Sequence, residues 1–234
     1  MAGMVLLLLA GPALDDASAE EAIKRFKTGM RNSNATARVA AVSELAREPH
    51  EKTAKLLIGL LGVDVPEVRE AAAKGLGGFA DYKKIVSPGL QMGLAGPNAK
   101  EPKVRAAIFT SLGKLNDDLS APKIYAAFRD DYITVAKAAI LASVDLRRKE
   151  AIDQLIDLLR DCEKWTKNNQ GGGYKDDAGA NGDENAQKGR VADLQKTIIK
   201  ALGEMTGEKW PTLMEWLLWW GKRKATFEFP TAKK

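Results

Sequence analysis

The sequence is poor in the residues on which most site chemistry depends. One cysteine, Cys162, and one histidine, His50, occur in 234 residues. A lone cysteine forms no intramolecular disulfide, and the two residues together cannot furnish a zinc cluster of Cys and His ligands. A Cys/His or Ser/His/Asp nucleophilic set is excluded beyond what His50 alone could serve. Aromatic residues make up only 6%, and four of the five tryptophans fall between Trp210 and Trp220. Neither sign of charge dominates, since 36 Lys and Arg against 31 Asp and Glu leave +5. What remains, 45% hydrophobic and 29% charged residues, is an ordinary globular composition. A chain of this length buries about 70% of its unfolded surface, so disorder throughout is excluded.

No hydrophobic run is long enough to span a bilayer. The longest, Met4 to Ala10, reads MVLLLLA and is followed by small residues. It reads as an export signal over residues 1–19, with cleavage after Ala17-Ser18-Ala19 or earlier, after Gly11-Pro12-Ala13. The alternative is a first helix that buries Leu6 to Leu9. No Lys or Arg precedes the run, and no Cys follows it closely enough to carry a lipid. Cleavage after Ala19 would delete Asp15 and Asp16 and raise the formal charge from +5 to +7. The expected location is periplasmic or extracellular, or cytoplasmic if the run is a buried helix.

A pattern recurs along the chain. Ala37-Arg38-Val39-Ala40-Ala41 with Leu45 matches Val68-Arg69-Glu70-Ala71-Ala72 with Leu76, and Val104-Arg105-Ala106-Ala107-Ile108 with Leu112. A fourth copy runs from Val135 to Val144, and a degenerate fifth from Leu194 to Leu202 and Gly203. Successive openers lie 31, 36, 31 and 59 residues apart, so three intervals hold one helical hairpin each and the last also holds an insertion. Ser33, Asp64 and Asp131 stand four residues before an opener, which predicts helix N-caps, and Asp64 with Glu67 has capping-box spacing. A second amphipathic helix follows in each unit. Its stripe is Ala54, Leu57, Ile58 and Leu61 in the first, Ile124, Ala127 and Phe128 in the third, and Ile152, Leu155, Ile156 and Leu159 in the fourth. In the second unit Pro88 and Gly89 predict a break or kink.

The V-R-x-A-A-x-x-x-L pattern, with Gly77 and Gly113 after the Leu, resembles the short bacterial HEAT or HEAT-like repeat over residues 33 to 163 and again over 191 to 207. The stretch Ala201-Leu202-Gly203-Glu204-Met205-Thr206-Gly207 before Trp216, Trp219 and Trp220 is similar to the ending of exported bacterial HEAT-repeat proteins. The resemblance implies an all-α chain folded as a right-handed α-solenoid of stacked antiparallel helix pairs. The expected organisation is a signal at 1–19, an N-terminal helix and four repeats at 20–162, a flexible Gly-rich insertion at 163–190, and a degenerate last repeat with a Trp-rich helix at 191–234.

The resemblance also implies roles for residues. Arg38, Arg69 and Arg105 are expected to be structural, pairing with groups such as Asp64 or Asp131 that begin the neighbouring unit. Second helices are expected to line the concave surface, where Lys52, Lys55, Lys84, Lys123 and Arg160 would form a modest basic groove diluted by Asp153 and Asp157. The rings of Trp216, Trp219 and Trp220 share one helical face and are expected to cap the last repeat. His50 reads as an exposed turn residue and Cys162 as a partly buried thiol, with a mixed disulfide as its alternative. Asp177, Asn181, Gly182 and Asp183 come near a calcium loop, but Gly179 and Lys188 occupy ligand positions and exclude it. No catalytic residue, metal or cofactor is expected. The reading is a monomeric, noncatalytic scaffold for a protein or peptide partner, without a transmembrane span in the mature chain. Its rivals are a lyase or chaperone resembling the bilin lyases and a DNA-binding solenoid; the pI of 9.1 permits the latter, but an export signal opposes it.

Overall fold

A computed structural model describes residues 16–168 and 173–230. The apolar run Met4 to Ala10 and the earlier cleavage point lie outside the described residues. Among the described residues the regular structure is helical, with one isolated β-bridge between Tyr132 and Lys175. The chain is all-α, as the sequence predicts. In order the helices are α1 (Asp16–Gly29), α2 (Ala35–Leu45), α3 (Glu51–Leu60), α4 (Pro66–Leu76), α5 (Lys83–Met92), α6 (Pro102–Leu115), α7 (Ala121–Ala126), α8 (Ile133–Leu146), α9 (Lys149–Lys167), α10 (Glu184–Thr206) and α11 (Leu213–Arg223). No helix among the described residues is long and apolar enough to cross a membrane.

Each of the first four repeat openers stands near the start of a helix, in α2, α4, α6 and α8. These helices pack in chain order, α2 on α4, α4 on α6, α6 on α8 and α8 on α10. Small side chains allow the close approach. A Cβ on Gly113 would lie 2.7 Å from the Cα of Ala142, and one on Gly75 would lie 2.5 Å from the Cβ of Ala46. The second helices pack less continuously: α3 meets α5, but α5 with α7 and α7 with α9 touch weakly at most. One apolar core runs from Ala22 in α1 to Phe227 after α11.

Local expectations need four corrections. The helices are not capped where predicted. Asn34, not Ser33, caps α2, its side chain accepting from Thr36 N at 2.8 Å. Val65 and Tyr132 occupy the cap positions of α4 and α8 without side-chain caps, because Asp64 and Asp131 are engaged elsewhere. Second, α5 runs without interruption through Pro88. A mid-helix Pro costs about 3 kcal/mol, whereas fully burying Val86 and Leu90 contributes about 1.5–3 kcal/mol each. Packing outweighs the missing backbone bond. Third, in the fourth repeat Ser143 rather than Val144 is buried in the register of the Leu, and its hydroxyl donates to Ile140 O at 2.6 Å.

Fourth, the insertion is shorter than 163–190, since α9 continues to Lys167 and α10 starts at Glu184, capped by Asp183. Its return path is tied down. Tyr174 is buried edge-on against Trp165, Lys175 N donates to Asp131 O at 2.6 Å, and Ile133 N donates to Lys175 O at 3.1 Å. Arg190 and Gln187 in α10 donate to the Tyr174 carbonyl. Ala17-Ser18-Ala19, the later of the two expected cleavage points, lies in the first turn of α1. Ala19 is fully buried, and Asp16 Oδ1 lies 3.1 Å from Lys52 Nζ and 3.3 Å from His50 Nε2.

Candidate functional site

The arginines of the repeat occupy one position and three settings. Arg38 donates from Nε and Nη2 to both carboxylate oxygens of Asp64, at 2.9 and 2.7 Å, and from Nη1 to the carbonyls of Asn32 and Ser33. Asp64 takes a left-handed backbone conformation (φ 73°) to present its carboxylate there, and Oδ1 also accepts from Val65 N. The bond from Arg38 holds the Asp64 carboxyl below its ordinary value. Arg69 is buried, 3.6 Å from Glu101. Arg105 pairs with Asp130, not with Asp131. Asp130 is turned inward to accept from Tyr132 N at 3.1 Å, while exposed Asp131 pairs with Lys175 at 3.2 Å. These arginines bind one unit to the next and present no free cationic ladder.

The predicted basic groove on the second helices is largely neutralised. Lys52 pairs with Asp16 and Glu20 of α1, Lys55 with Glu51, and Arg160 with Asp157. Lys84 and Lys123 are exposed and carry no ion pair among the described residues. Asp153 does not dilute this groove, for it accepts from Trp220 Nε1 at 2.8 Å and from Lys224 Nζ at 2.9 Å. That pairing seats α11 on α9. Trp216 is fully buried, Trp220 nearly so, and Trp219 stacks on Trp220 and donates Nε1 to Glu208 at 3.1 Å. The three rings lie against the end of the core, with Phe227 edge-on to Trp219 and Trp220.

His50 is neither exposed nor free. It is the N-cap of α3: Nδ1 accepts from Lys52 N at 3.1 Å, which leaves the ring proton on Nε2, toward Asp16, and His50 N donates to the Thr53 hydroxyl at 3.0 Å. Cys162 is fully buried rather than partly so, and burial pushes its thiol up to about 12. A thiol in that state supplies almost no thiolate for disulfide exchange. Among the described residues no group of three or more His, Cys, Asp or Glu side chains could hold a metal ion.

A second surface escaped the sequence reading. Counted from each opener, positions one before and two, six and ten after lie within about 80° of one another around a helix. In α4 these include Glu67, Glu70 and Lys74; in α6 Lys103, Ala106, Thr110 and Lys114; in α8 Thr134, Lys137, Leu141 and Asp145. Every one is exposed or half-buried. This face runs along the tightly packed first helices and contains an open groove of about 530 Å³ between α2 and α4, lined by Val39, Ser43, Ala71 and Lys74. Partial enclosure raises the Asp145 carboxyl above its ordinary value, with Lys114 opposing the shift and Glu204 adding to it. Alternation of buried and exposed positions within the repeat was the signal available in the sequence.

No family model matches the chain, and no curated protein matches it.

Proposed function

We propose that the chain is a noncatalytic protein-binding scaffold built as a right-handed solenoid of HEAT-like hairpins, exported from the cytoplasm, and closed at its far end by α11. The observation that carries this reading is the unbroken packing of α2, α4, α6, α8 and α10 in chain order. Units that touch mainly their neighbours lengthen a surface instead of closing around a pocket, which suits a protein or peptide better than a small substrate. The binding face is the exposed side of these first helices. A layer packed more closely than its partner layer lies on the inside of a bend, and close contacts such as Gly75 to Ala46 and Gly113 to Ala142 belong to the first helices. Export is compatible with this fold if processing occurs before Asp16, as at Gly11-Pro12-Ala13, because a cut after Ala19 would remove the first turn of α1 and the carboxylate beside His50 and Lys52.

A photo-crosslinking residue at Thr110 on the first-helix face, and another at Lys123 on the second, tests the scaffold in its own cell. The expected result is a discrete protein adduct from Thr110. No protein adduct from either position, or adducts to nucleic acid alone, would overturn the reading.

A further inference from the structure

Among the described residues the most extensive helix-to-helix contact joins α6 and α8, and the exposed side of that pair has an unbalanced charge. Helix α6 contains no carboxylate, and α8 contains Asp145 alone. Against that single acid stand Lys103, Lys114 and Lys137. Lys103 and Lys137 make no ion pair or hydrogen bond among the described residues. By contrast Lys74 on α4 is held by Glu70, and Lys200 on α10 by Glu204. The same exposed side of the two helices also carries small side chains, Ala106, Thr110 and Ala138, and Leu141, which is 42% exposed.

Resting on the scaffold reading above, we propose that this patch binds an extended acidic segment of a partner protein, whose carboxylates meet Lys103, Lys114 and Lys137 and whose apolar side chain covers Leu141. Lys103 and Lys137, without internal partners, are free to exchange water for an incoming carboxylate, and small residues on the same face let a backbone lie close to the helices. A nucleic acid is a poorer fit. A phosphate chain carries a charge at every nucleotide and would meet Glu67 and Glu70 on α4 and Asp145 on α8, whereas a peptide can place neutral residues opposite those carboxylates and its acids opposite the lysines.

The test uses the full chain and a fluorescent peptide of repeated Glu-Leu-Asp-Gly units, compared by anisotropy with the same peptide carrying Gln and Asn for Glu and Asp. The acidic peptide should bind at least about tenfold more tightly than the neutral one at low salt, with the advantage lost near 0.5 M salt, where charge interactions are screened within about 4 Å. Lys103→Glu with Lys137→Glu should weaken it about tenfold, Leu141→Ser should also weaken it, and Lys84→Glu with Lys123→Glu should leave it within about twofold because these residues lie on the other helices. Circular dichroism of each variant confirms that exposed substitutions leave the helices intact. Equal binding of the neutral peptide, loss through the Lys84 and Lys123 variants alone, or tighter binding of an oligothymidine to the same lysines would overturn the proposal. The two readings can fail separately. A protein adduct from Lys123 without acidic-peptide binding overturns this site and leaves the scaffold standing, whereas no protein adduct from either face removes the scaffold itself.

Discussion

At the scale of single residues, identical positions in a repeat do not have identical environments. Arg38 has a complete set of partners, and buried Arg69 has one carboxylate, that of half-exposed Glu101 at 3.6 Å. The position was legible in the sequence because Arg follows the opener three times. The partner was legible only for Asp64. In the third unit two adjacent aspartates stand at the right distance, and spacing cannot say which one turns inward; the backbone bond from Tyr132 N selects Asp130. His50 and Cys162 were misplaced for a related reason, since their burial depends on α1 and on Tyr174, which are distant in sequence. Asp64 offers a direct check. Its carboxyl is held below the ordinary value of 3.8 when folded, so the stabilisation is complete above that value and is lost as the pH falls through the lower folded value. Asp64→Asn keeps a residue that tolerates the left-handed conformation while removing the charge. Urea denaturation should find the variant less stable than the parent at pH 7, with the difference closing as the pH drops below 3.8. A difference independent of pH would mean that the carboxylate charge contributes nothing.

At the scale of helices, the apolar stripes were the legible part, and Ile124, Ala127, Phe128, Ile152, Leu155, Ile156 and Leu159 are all buried. Ends and exceptions were not. Pro88 stays inside α5 through tertiary burial that no local rule contains, and the Gly-rich composition of the insertion hid the anchoring roles of Trp165 and Tyr174. The Trp-rich helix α11 was legible as an element of its own, with Trp216, Trp219 and Trp220 on one face. The structure adds why it stays: Trp216 is fully buried and Trp220 donates to Asp153 of α9. Trp216→Ala should therefore lower unfolding stability by about 3–5 kcal/mol, the usual cost of emptying a large core site. Thermal and urea denaturation followed by tryptophan fluorescence would measure it. A variant of parental stability that failed to bind the partner would instead make the ring part of the interface.

At the scale of the whole molecule, chain-order packing has a consequence that no single residue carries. If each hairpin rests mainly on the next, the dimensions grow along one axis as units are added, and the molecule is longer than a compact domain of equal mass. A compact globule of this length has a radius of gyration of about 17–18 Å. In the proposed solenoid, hairpins about 10 Å apart with α1 and α11 closing the ends would make a two-layer stack about 60 Å long and about 25 Å across, for which the radius of gyration is about 20 Å. Small-angle scattering distinguishes these values, and a stack should also give a pair-distance distribution with a long tail. The same geometry determines where a partner can lie. The proposed stack would expose the first-helix face along its length, so an extended segment could cross Lys103, Lys137 and Leu141 without entering a cavity. A radius near 17 Å would mean that the ends curl together and that this face is closed to an extended partner.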